Sequence, residues 1–292
     1  MTKILITGAN SFLGKNFAEN SQIKNIDEVC LIKNTLQDIS FSKYDVVLHV
    51  AAIVHQTQKI PESQYIKVNT DLCLEVAREA KKQGVKQFVF ISTVKVYGEF
   101  KPERGIWTED AVCEPDDSYG KSKYLAEIGL KELIDDNFTV SIVRPPLIYG
   151  VGVKANMLSL IKLVDRFPLL PLGGINNKRS FTSIENLVQL IDEVIEKRIS
   201  GVFLAMDNRP LSTTELTKII ARHLNKKPLL ITLPKFIVSV GKKLASSIFD
   251  RLYGSFEIDN RITRKTLGYQ PKLSSDQGLK KMVLAYLEEK KK

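Results

Sequence analysis

The chain has 292 residues, enough for one large domain or for one domain with a smaller lobe, and its 43% hydrophobic and 26% charged residues are typical of a globular protein. Its formal net charge is +10, but its lysines are spread over the whole length without an aromatic-plus-basic recognition motif, so we expect no nucleic-acid partner. No apolar run approaches the roughly eighteen residues of a membrane-spanning helix, so we expect no integral membrane segment.

The first half of the chain alternates strand-like and helix-like segments. Short apolar or β-branched runs predict strands at 3–7, 28–32, 45–50, 87–92 and 139–144. Helical patterns lie between them at 13–20, 62–83 and 118–136. Continuous apolar strands separated by helices are typical of a parallel sheet covered on both faces. The sequence therefore predicts an α/β fold built on a doubly wound parallel sheet.

The second half is less regular. A helix at 185–197 and a strand at 201–206 still suit the sheet. We expect residues 1–150 to form the larger domain, with 176–206 returning to it, and residues 151–175 and 207–292 to form a smaller lobe. The basic, amphipathic stretch 235–253 is interpreted as a helix packed on this lobe in preference to one lying on a membrane surface.

A glycine-rich turn follows the first predicted strand. It reads Thr7-Gly8-Ala9-Asn10-Ser11-Phe12-Leu13-Gly14 and opens the first predicted helix. Gly8 allows the chain to turn tightly, and Gly14 allows the helix and the sheet to pack closely. The N-terminus of the helix then offers backbone amides to a pyrophosphate. The turn therefore predicts a dinucleotide-binding site.

This turn resembles the TGxxGxxG signature of the extended short-chain dehydrogenases, the NAD-dependent epimerase/dehydratase family. The resemblance implies a Rossmann domain that binds the dinucleotide and a smaller C-terminal lobe that binds a sugar nucleotide. Ser11 stands where the signature has its middle glycine, and we expect a displaced or hydroxyl-assisted phosphate contact there. By this resemblance, the cofactor contacts of the turn are Gly8, Asn10, Ser11, Phe12, Leu13 and Gly14.

The residues after the second predicted strand concern the choice of dinucleotide. A carboxylate that binds the ribose 2′-hydroxyl of NAD is expected about twenty residues after the last glycine, and the chain has Asn34 there. Lys33 beside it suits a 2′-phosphate, so NADP(H) is favoured and NAD(H) stays open. The linker between the second predicted strand and Asp38-Ile39 is too short for a full helix, so we expect the usual second crossover helix to be trimmed.

Further positions match cofactor contacts of the family. The pair Asp38-Ile39 resembles one beside the adenine, and 49–52 (HVAA) resembles a strand end where the dinucleotide lies against the backbone. Asn69 matches an asparagine that braces the central strands. The additional cofactor contacts implied in this way are Asp38, Ile39, Ala51, Ala52, Lys123 and Pro146.

The candidate catalytic residues are Thr93, Tyr119 and Lys123. The stretch 91–98 (ISTVKVYG) resembles the family segment with the reactive hydroxyl, and Tyr119 follows Thr93 by 26 residues. Lys123 lies one helical turn beyond Tyr119, so both side chains share a helix face. A phenol has a pKa near 10, and a nearby ammonium is expected to lower it. The resemblance implies that Tyr119 transfers a proton, that Thr93 orients the substrate oxygen, and that Lys123 also holds the nicotinamide ribose.

Several enzymes of the family share this triad. The 4,6-dehydratases have an Asp-Glu pair directly after the hydroxyl residue, whereas this chain has Val94 and Lys95, so dehydration is not expected. The missing carboxylate at Asn34 favours a 4-keto reductase that exchanges its cofactor. The alternatives are a UDP-hexose 4-epimerase with tightly bound NAD and a non-catalytic regulator that senses a dinucleotide. The intact triad argues against the regulator.

The later motifs concern the substrate. The stretches 144–157 and 171–181 resemble those of bacterial UDP-sugar enzymes of surface-polysaccharide synthesis, which places diphosphate contacts at Asn156 and Arg179. The substrate contacts implied in all are Thr93, Lys95, Tyr119, Asn156 and Arg179. The resemblance is strongest to reductases that convert UDP-4-keto-6-deoxy-N-acetylhexosamine to UDP-N-acetylquinovosamine or UDP-N-acetylfucosamine.

The remaining expectations concern metal, compartment and assembly. Three widely spaced cysteines and three unclustered histidines indicate neither a disulfide framework nor a metal site. Reduced cysteines and a start without a leader pattern favour the cytoplasm. By resemblance, we expect a homodimer built through the long helices that flank the sheet.

Overall fold

A computed structural model describes residues 1–31, 35–54, 60–98, 105–244 and 246–291. The strands are β1 (Ile4–Thr7), β2 (Ile26–Val29), β3 (Val46–His49), β4 (Gln87–Ile91), β5 (Ile106–Trp107), β6 (Thr139–Arg144), β7 (Leu147–Tyr149), β8 (Leu169–Gly173), β9 (Phe181–Ser183), β10 (Gly201–Leu204), β11 (Leu229–Thr232) and β12 (Glu257–Ile258). The helices are α1 (Phe12–Asn20), α2 (Glu62–Tyr65), α3 (Leu72–Lys82), α4 (Ser118–Lys131), α5 (Ala155–Arg166), α6 (Ile184–Lys197), α7 (Thr213–His223), α8 (Lys235–Leu244), α9 (Ser246–Tyr253), α10 (Arg261–Leu267) and α11 (Ser275–Lys291). Short 3₁₀ helices span Leu36–Asp38, Phe41–Lys43 and Val94–Tyr97, and a π-helical turn, Ile66–Asp71, joins α2 to α3.

The central sheet has six strands in the order β10-β6-β4-β3-β1-β2, and every neighbouring pair is parallel. This confirms the predicted doubly wound parallel sheet. Thr7 at the end of β1 pairs with Val29 on one side and with His49 on the other. The carboxyl ends of the strands therefore meet at one edge, which is where ligands bind in such sheets.

The central strands are mostly apolar because both faces of the sheet are covered. All residues of β3 and β4 are buried, which explains runs without polar alternation. The polar residues of these two strands are His49 and Gln87, and the amide nitrogen of Gln87 donates to Ser141 Oγ and to the carbonyl of Val194, both at 2.9 Å. These bonds satisfy the amide nitrogen of Gln87, whereas its buried Oε1 accepts no hydrogen bond from the described residues.

Strand β2 ends three residues earlier than predicted. The carbonyl of Val29 accepts from the amides of Gly8 and Ala9, at 2.9 and 3.1 Å. Since these two residues belong to the glycine turn after β1, the pairing of β2 with β1 ends at Val29. In the part of the chain that the structure describes, two 3₁₀ helices and no α-helix lie between β2 and β3. The trimmed crossover is therefore confirmed, and β2 is an edge strand of the sheet.

The chain divides into two compact units. The first contains Met1–Pro146, Leu187–Ala205 and Asp259–Gln270, and the second contains Leu147–Asn186, Met206–Ile258 and Pro271–Lys292. The core of the first unit includes Val47, Phe88, Phe90, Ala126, Val140 and Ile142. The core of the second includes Tyr149, Ile161, Leu172, Phe181, Ile220 and Val283.

The expectation that 235–253 packs on the second unit is confirmed for α9, whose Leu252 and Tyr253 contact the core of that unit, and is wrong for α8. The stretch 235–253 forms α8 and α9, as its periodicity predicts, and the two helices pack on each other. The apolar face of α8 is not covered, because Phe236, Val240 and Leu244 are exposed. Amphipathic periodicity predicted the helix but not which side of it the fold buries.

Candidate active site

The glycine turn lies against the segment after β3. Gly8 has φ +108°, and a Cβ on it would lie 2.7 Å from the backbone nitrogen of Ala51. Only glycine fits this combination of left-handed backbone and close approach. Ala51 in turn donates from its amide to the carbonyl of Thr7 at 2.9 Å. Ala51 and Ala52 are half-buried, and their contact with a dinucleotide stays a prediction.

Ser11 is the N-cap of helix α1. Its Oγ accepts a hydrogen bond from the amide of Gly14 at 3.0 Å, so the serine satisfies one of the amides that a helix start leaves without an acceptor. Asn10 before it has φ +66°, a conformation that asparagine tolerates better than most residues. Phe12 and Leu13 open the helix. The serine that replaces the middle glycine of the signature therefore caps helix α1, and the contact of Ser11 with phosphate stays a prediction.

The residues predicted to select the dinucleotide are described only in part. Lys33 and Asn34 lie outside the described residues. The carboxylate of Asp38 accepts from the amide and the hydroxyl of Thr35, at 3.0 and 2.7 Å, and these bonds lower its pKa. Ile39 is buried in the core of the first unit. Asp38 therefore caps a 3₁₀ helix, and its contact with adenine stays a prediction.

His49 is a buried neutral residue at the end of β3. Its Nδ1 lies 2.8 Å from the hydroxyl of Thr7, and its ring stacks on Phe88 and Phe90. Burial, together with the charge of Lys123, lowers its pKa to about 3. A histidine that stays neutral over the working pH range contributes packing and one hydrogen bond, not proton transfer.

Asn69 braces the site from the π-helical turn. Its side-chain amide accepts from the backbone nitrogen of Ile53 at 2.8 Å and donates to the carbonyl of Ile53 at 3.0 Å. It also donates to Ser122 Oγ at 3.0 Å. These bonds join the segment after β3 to helix α4, next to Lys123.

Thr93 and Tyr119 come together at the carboxyl end of β4. Thr93 is buried and caps the 3₁₀ helix Val94–Tyr97, while Tyr119 lies in the first turn of α4. Burial and the charge of Asp117 raise the pKa of Tyr119, and a hydrogen bond from Thr93 lowers it, with a net value of about 12. The phenol is therefore protonated at neutral pH.

Lys123 is almost fully buried beneath the same strand end. Its Nζ donates to the carbonyl of Ile91 at 2.8 Å and lies 4.4 Å from the centre of the Phe90 ring. Burial lowers the pKa of Lys123 to about 8. The expectation that Lys123 lowers the pKa of Tyr119 is wrong for the polypeptide: burial and the charge of Asp117 raise that pKa, and the ammonium of Lys123 is bonded to the carbonyl of Ile91.

A buried ion pair behind the triad was missed by the sequence reading. Glu127, one helical turn beyond Lys123, accepts from the guanidinium of Arg144 and from the hydroxyl of Ser92. Arg144 also donates to the hydroxyl of Tyr97 at 2.9 Å. Burial alone would lower the pKa of Arg144, but its bonds to Glu127 raise it overall. The spacing 119, 123, 127 on one helix face was the available signal.

This network decides between the two hydroxyls after β4. Because Ser92 is bonded to Glu127, Thr93 is the one directed to Tyr119. Val94 is buried, and Lys95 forms an ion pair with Asp117 at 2.8 Å. Asp117 also caps α4 by accepting from the amide of Gly120. Lys95 therefore tethers the start of α4, and its contact with substrate stays a prediction.

The second unit contains the other predicted substrate residues. Asn156 is exposed at the start of α5. The guanidinium of Arg179 donates to the carbonyls of Asp250 and Gly254, at 3.2 and 3.0 Å. Burial and the charge of Arg251 lower its pKa. Arg251 was not among the predicted substrate residues.

Pro146 is buried at the end of the first unit. The carbonyl of the preceding Pro145 accepts from the amide of Val94 at 3.2 Å, which fixes this turn beside Thr93. Among the residues that the structure describes, no group of three or more His, Cys, Asp or Glu side chains is arranged for a metal ion. A search of the same residues found no helix with the length and apolar character to cross a bilayer.

Comparisons with known proteins agree with this geometry. The model of the NAD dependent epimerase/dehydratase family matches residues 4–203. The UDP-glucose 4-epimerase of Vibrio cholerae is 35% identical over 98% of this chain and 95% of its own length. Two solved structures share the fold, each with a TM-score of 0.76. A UDP-glucuronic acid 4-epimerase from Bacillus cereus with NAD is 20% identical and covers 99% of this chain and 100% of its own. A dTDP-4-dehydrorhamnose reductase from Bacillus anthracis with NADP is 22% identical and covers 97% of this chain and 99% of its own. The chain therefore belongs to the NAD dependent epimerase/dehydratase family, whose enzymes modify nucleotide sugars with a nicotinamide dinucleotide.

Proposed function

We propose that the chain is a nucleotide-sugar 4-keto reductase. Its substrate is a UDP-4-keto-6-deoxy-N-acetylhexosamine, and its product is UDP-N-acetylquinovosamine or UDP-N-acetylfucosamine for surface-polysaccharide synthesis. The observation that carries the proposal is the protonated phenol of Tyr119 beside Thr93, with Val94 and Lys95, and so no carboxyl group, at the two positions after Thr93. A ketone that is being reduced needs a proton donor at its oxygen, and a phenol with a pKa of about 12 is a donor at rest.

The first unit fits a dinucleotide. A Cβ at Gly8 would fill the space against Ala51, and helix α1 begins directly after this turn. A pyrophosphate suits such a helix start. Between Val29 and Asp38 the chain has no carboxylate for a ribose 2′-hydroxyl but has Lys33, which supports NADP(H). The cofactor supplies the hydride, and Lys123 would hold its nicotinamide ribose.

The polypeptide supplies alignment and the proton. The hydride adds to C4 of the sugar while the proton of Tyr119 moves to O4, so the carbonyl becomes an alcohol and the phenol becomes a phenolate. Thr93 orients O4 through its hydroxyl. Lys123 lies one helical turn beyond Tyr119, with its ammonium bonded to the carbonyl of Ile91.

The neighbours of Thr93 argue against a dehydratase. Removal of water from the sugar ring needs an acid and a base beside the hydroxyl residue. Val94 is an apolar buried side chain, and the ammonium of Lys95 is bonded to Asp117. Neither provides a carboxyl group at this position.

The second unit supports binding of a nucleotide diphosphate. Arg179 and Arg251 repel each other, and a diphosphate between them would relieve that repulsion. Asn156 lies on the surface of the same unit. We assign the first unit to the dinucleotide and the second to the sugar nucleotide.

A UDP-hexose 4-epimerase is the second candidate. It is favoured by the 35% identity to the Vibrio cholerae epimerase, which extends over 98% of this chain. An epimerase begins by oxidising the C4 alcohol, which requires Tyr119 to accept a proton. The two candidates therefore differ in whether each turnover consumes a reduced dinucleotide.

The assembly and compartment of the enzyme complete the proposal. Leu125 and Ile128 are exposed apolar side chains on α4, one of the long helices beside the sheet. They support a homodimer built through α4, and sedimentation velocity of the purified protein tests it. None of the three cysteines, all of which the structure describes, forms a disulfide bond, which suits a cytoplasmic protein.

The decisive experiment follows NADPH absorbance with a UDP-4-keto-6-deoxy-N-acetylhexosamine. A reductase oxidises one NADPH for each sugar reduced. Conversion of UDP-N-acetylglucosamine to its C4 epimer without added cofactor would replace the reductase by the epimerase.

The variant Tyr119→Phe tests whether Tyr119 is the proton donor in this reaction. Turnover should fall about 10²- to 10⁴-fold while dinucleotide binding, followed by fluorescence titration, stays unchanged. Tyr124→Phe, a half-buried tyrosine in the same helix, is the matched control and should keep normal turnover. Normal turnover of the Tyr119→Phe variant would remove the assignment.

A further inference from the structure

The second unit exposes an apolar stripe on helix α8. Phe236, Val240 and Leu244 recur every four residues, so they lie along one face of the helix. Their exposed fractions are 70%, 53% and 83%. Leu229 and Ile231, two residues apart on β11 just before α8, are also exposed. Large apolar side chains grouped in one short segment mark an interaction surface.

The orientation of α8 is set by contacts on its other side. Gly241 packs so closely on the ring of Phe249 in α9 that a Cβ at Gly241 would lie 2.1 Å from a ring carbon. Val238 is half-buried. The apolar stripe therefore cannot turn inward without separating α8 from α9.

The chain around this stripe is strongly basic. Residues 216–249 contain no Asp or Glu. The same range contains seven basic residues: Lys218, Arg222, Lys226, Lys227, Lys235, Lys242 and Lys243. The rest of the chain has nearly equal numbers of basic and acidic residues, so this segment accounts for most of the net charge of +10. Lys235 and Lys243 are exposed on α8 itself.

The apolar stripe and the positive charge around it together indicate which kind of partner binds α8. A second copy of the chain would bring two such basic segments together, and their repulsion opposes that contact. An anionic bilayer accepts apolar side chains between its headgroups and attracts lysines at its surface. We propose that helix α8 docks the protein, parallel to the membrane plane, on the surface of an anionic phospholipid bilayer.

The proposal concerns the second unit and does not depend on which sugar is reduced. A binding test uses the full-length protein and vesicles of phosphatidylcholine with roughly one third phosphatidylglycerol, separated by sedimentation. The wild-type protein should sediment with these vesicles, should stay in solution with pure phosphatidylcholine, and should be released by roughly 0.5 M NaCl.

The variants locate the contact. Phe236→Glu combined with Val240→Glu should lower the vesicle partition constant of the protein by at least about tenfold, because two carboxylates replace two apolar side chains of the stripe. Val112→Glu, at an exposed apolar side chain in an acidic loop, is the matched control and should bind like the wild type. Both changes are at exposed positions, and circular dichroism checks that each variant is folded.

Three results would overturn the proposal. The first is wild-type protein that remains in solution with anionic vesicles, and the second is equal binding by the Phe236→Glu, Val240→Glu variant. The third is a wild-type protein that does not bind vesicles and that sediments as a larger particle than the Phe236→Glu, Val240→Glu variant. That last result would assign the stripe to contact with a second copy of the chain.

Discussion

Lys123→Met should stabilise the folded protein at neutral pH while it removes turnover. Lys123 is only 2% exposed, and burial lowers the pKa of its ammonium from 10.5 to about 8. The unfolded chain therefore binds more protons than the folded one between pH 8 and pH 10.5. The wild-type protein gains stability as the pH rises through this window, and below pH 8 it bears the full cost of burying the charge.

The size of the effect follows from this pKa. A lowering from 10.5 to about 8 corresponds to about 3 kcal/mol at pH 7. Methionine avoids this cost but leaves the carbonyl of Ile91 without the Nζ donor, which costs about 1 kcal/mol. The variant should be more stable by about 2 kcal/mol at pH 7 and by about 1 kcal/mol at pH 9, and the advantage should vanish near pH 10.

Urea unfolding followed by circular dichroism at several pH values between 7 and 10 measures this difference. Lys121→Met is the matched control, because Lys121 lies in the same helix but is half-exposed and paired with Glu62. Its effect on stability should be small and constant over this pH range. A Lys123→Met variant that is less stable than wild type at pH 7, or whose advantage does not change with pH, would refute the reasoning.

The remaining predictions concern the groups around the triad. Arg144→Met should lower the free energy of unfolding by about 3–5 kcal/mol, because it leaves the carboxylate of Glu127 buried without its cation. Arg144→Met combined with Glu127→Leu should restore most of this loss in urea unfolding, and a double variant no better than the single one would contradict the account. Ser11→Ala should cost about 1 kcal/mol through loss of the helix cap, and Ser11→Gly only a few tenths. Since Ser11→Gly also frees the amide of Gly14 for phosphate, its dinucleotide affinity by fluorescence titration should rise, and weaker binding would show that the serine helps to hold the cofactor. Thr93→Val should lower turnover about 10²-fold while Thr93→Ser keeps most of it, as measured by NADPH oxidation; equal rates for the two variants would remove the orienting role of the hydroxyl.

Local sequence patterns were sufficient to predict the elements of the sheet. The apolar run of β4 and the glycine turn after β1 are properties of a few adjacent residues, since a buried strand needs apolar side chains and a tight turn needs positive φ. The end of β2 was predicted too late, because the bonds that end its pairing come from Gly8 and Ala9, about twenty residues earlier in the chain. The capping role of Ser11 was also missed.

The partners of single side chains depended on the folded chain. Ser92 and Thr93 are adjacent hydroxyls, and they differ because Glu127 reaches one and Tyr119 the other. Similarly, Arg251 comes near Arg179 only after α9 packs in the second unit. Such contacts join positions far apart in sequence, and spacing along one element does not contain them.

By itself, the sequence determined the doubly wound sheet, the glycine turn and the placement of Tyr119 and Lys123 on one face of a helix. These features follow from backbone geometry and from the periodicity of apolar residues within single elements. Only the tertiary structure decided that burial raises the pKa of Tyr119 and lowers that of Lys123. It also decided that the apolar stripe of α8 faces outward. Burial is the physical reason for both, because the solvent exposure of a side chain depends on which other elements the fold packs over it.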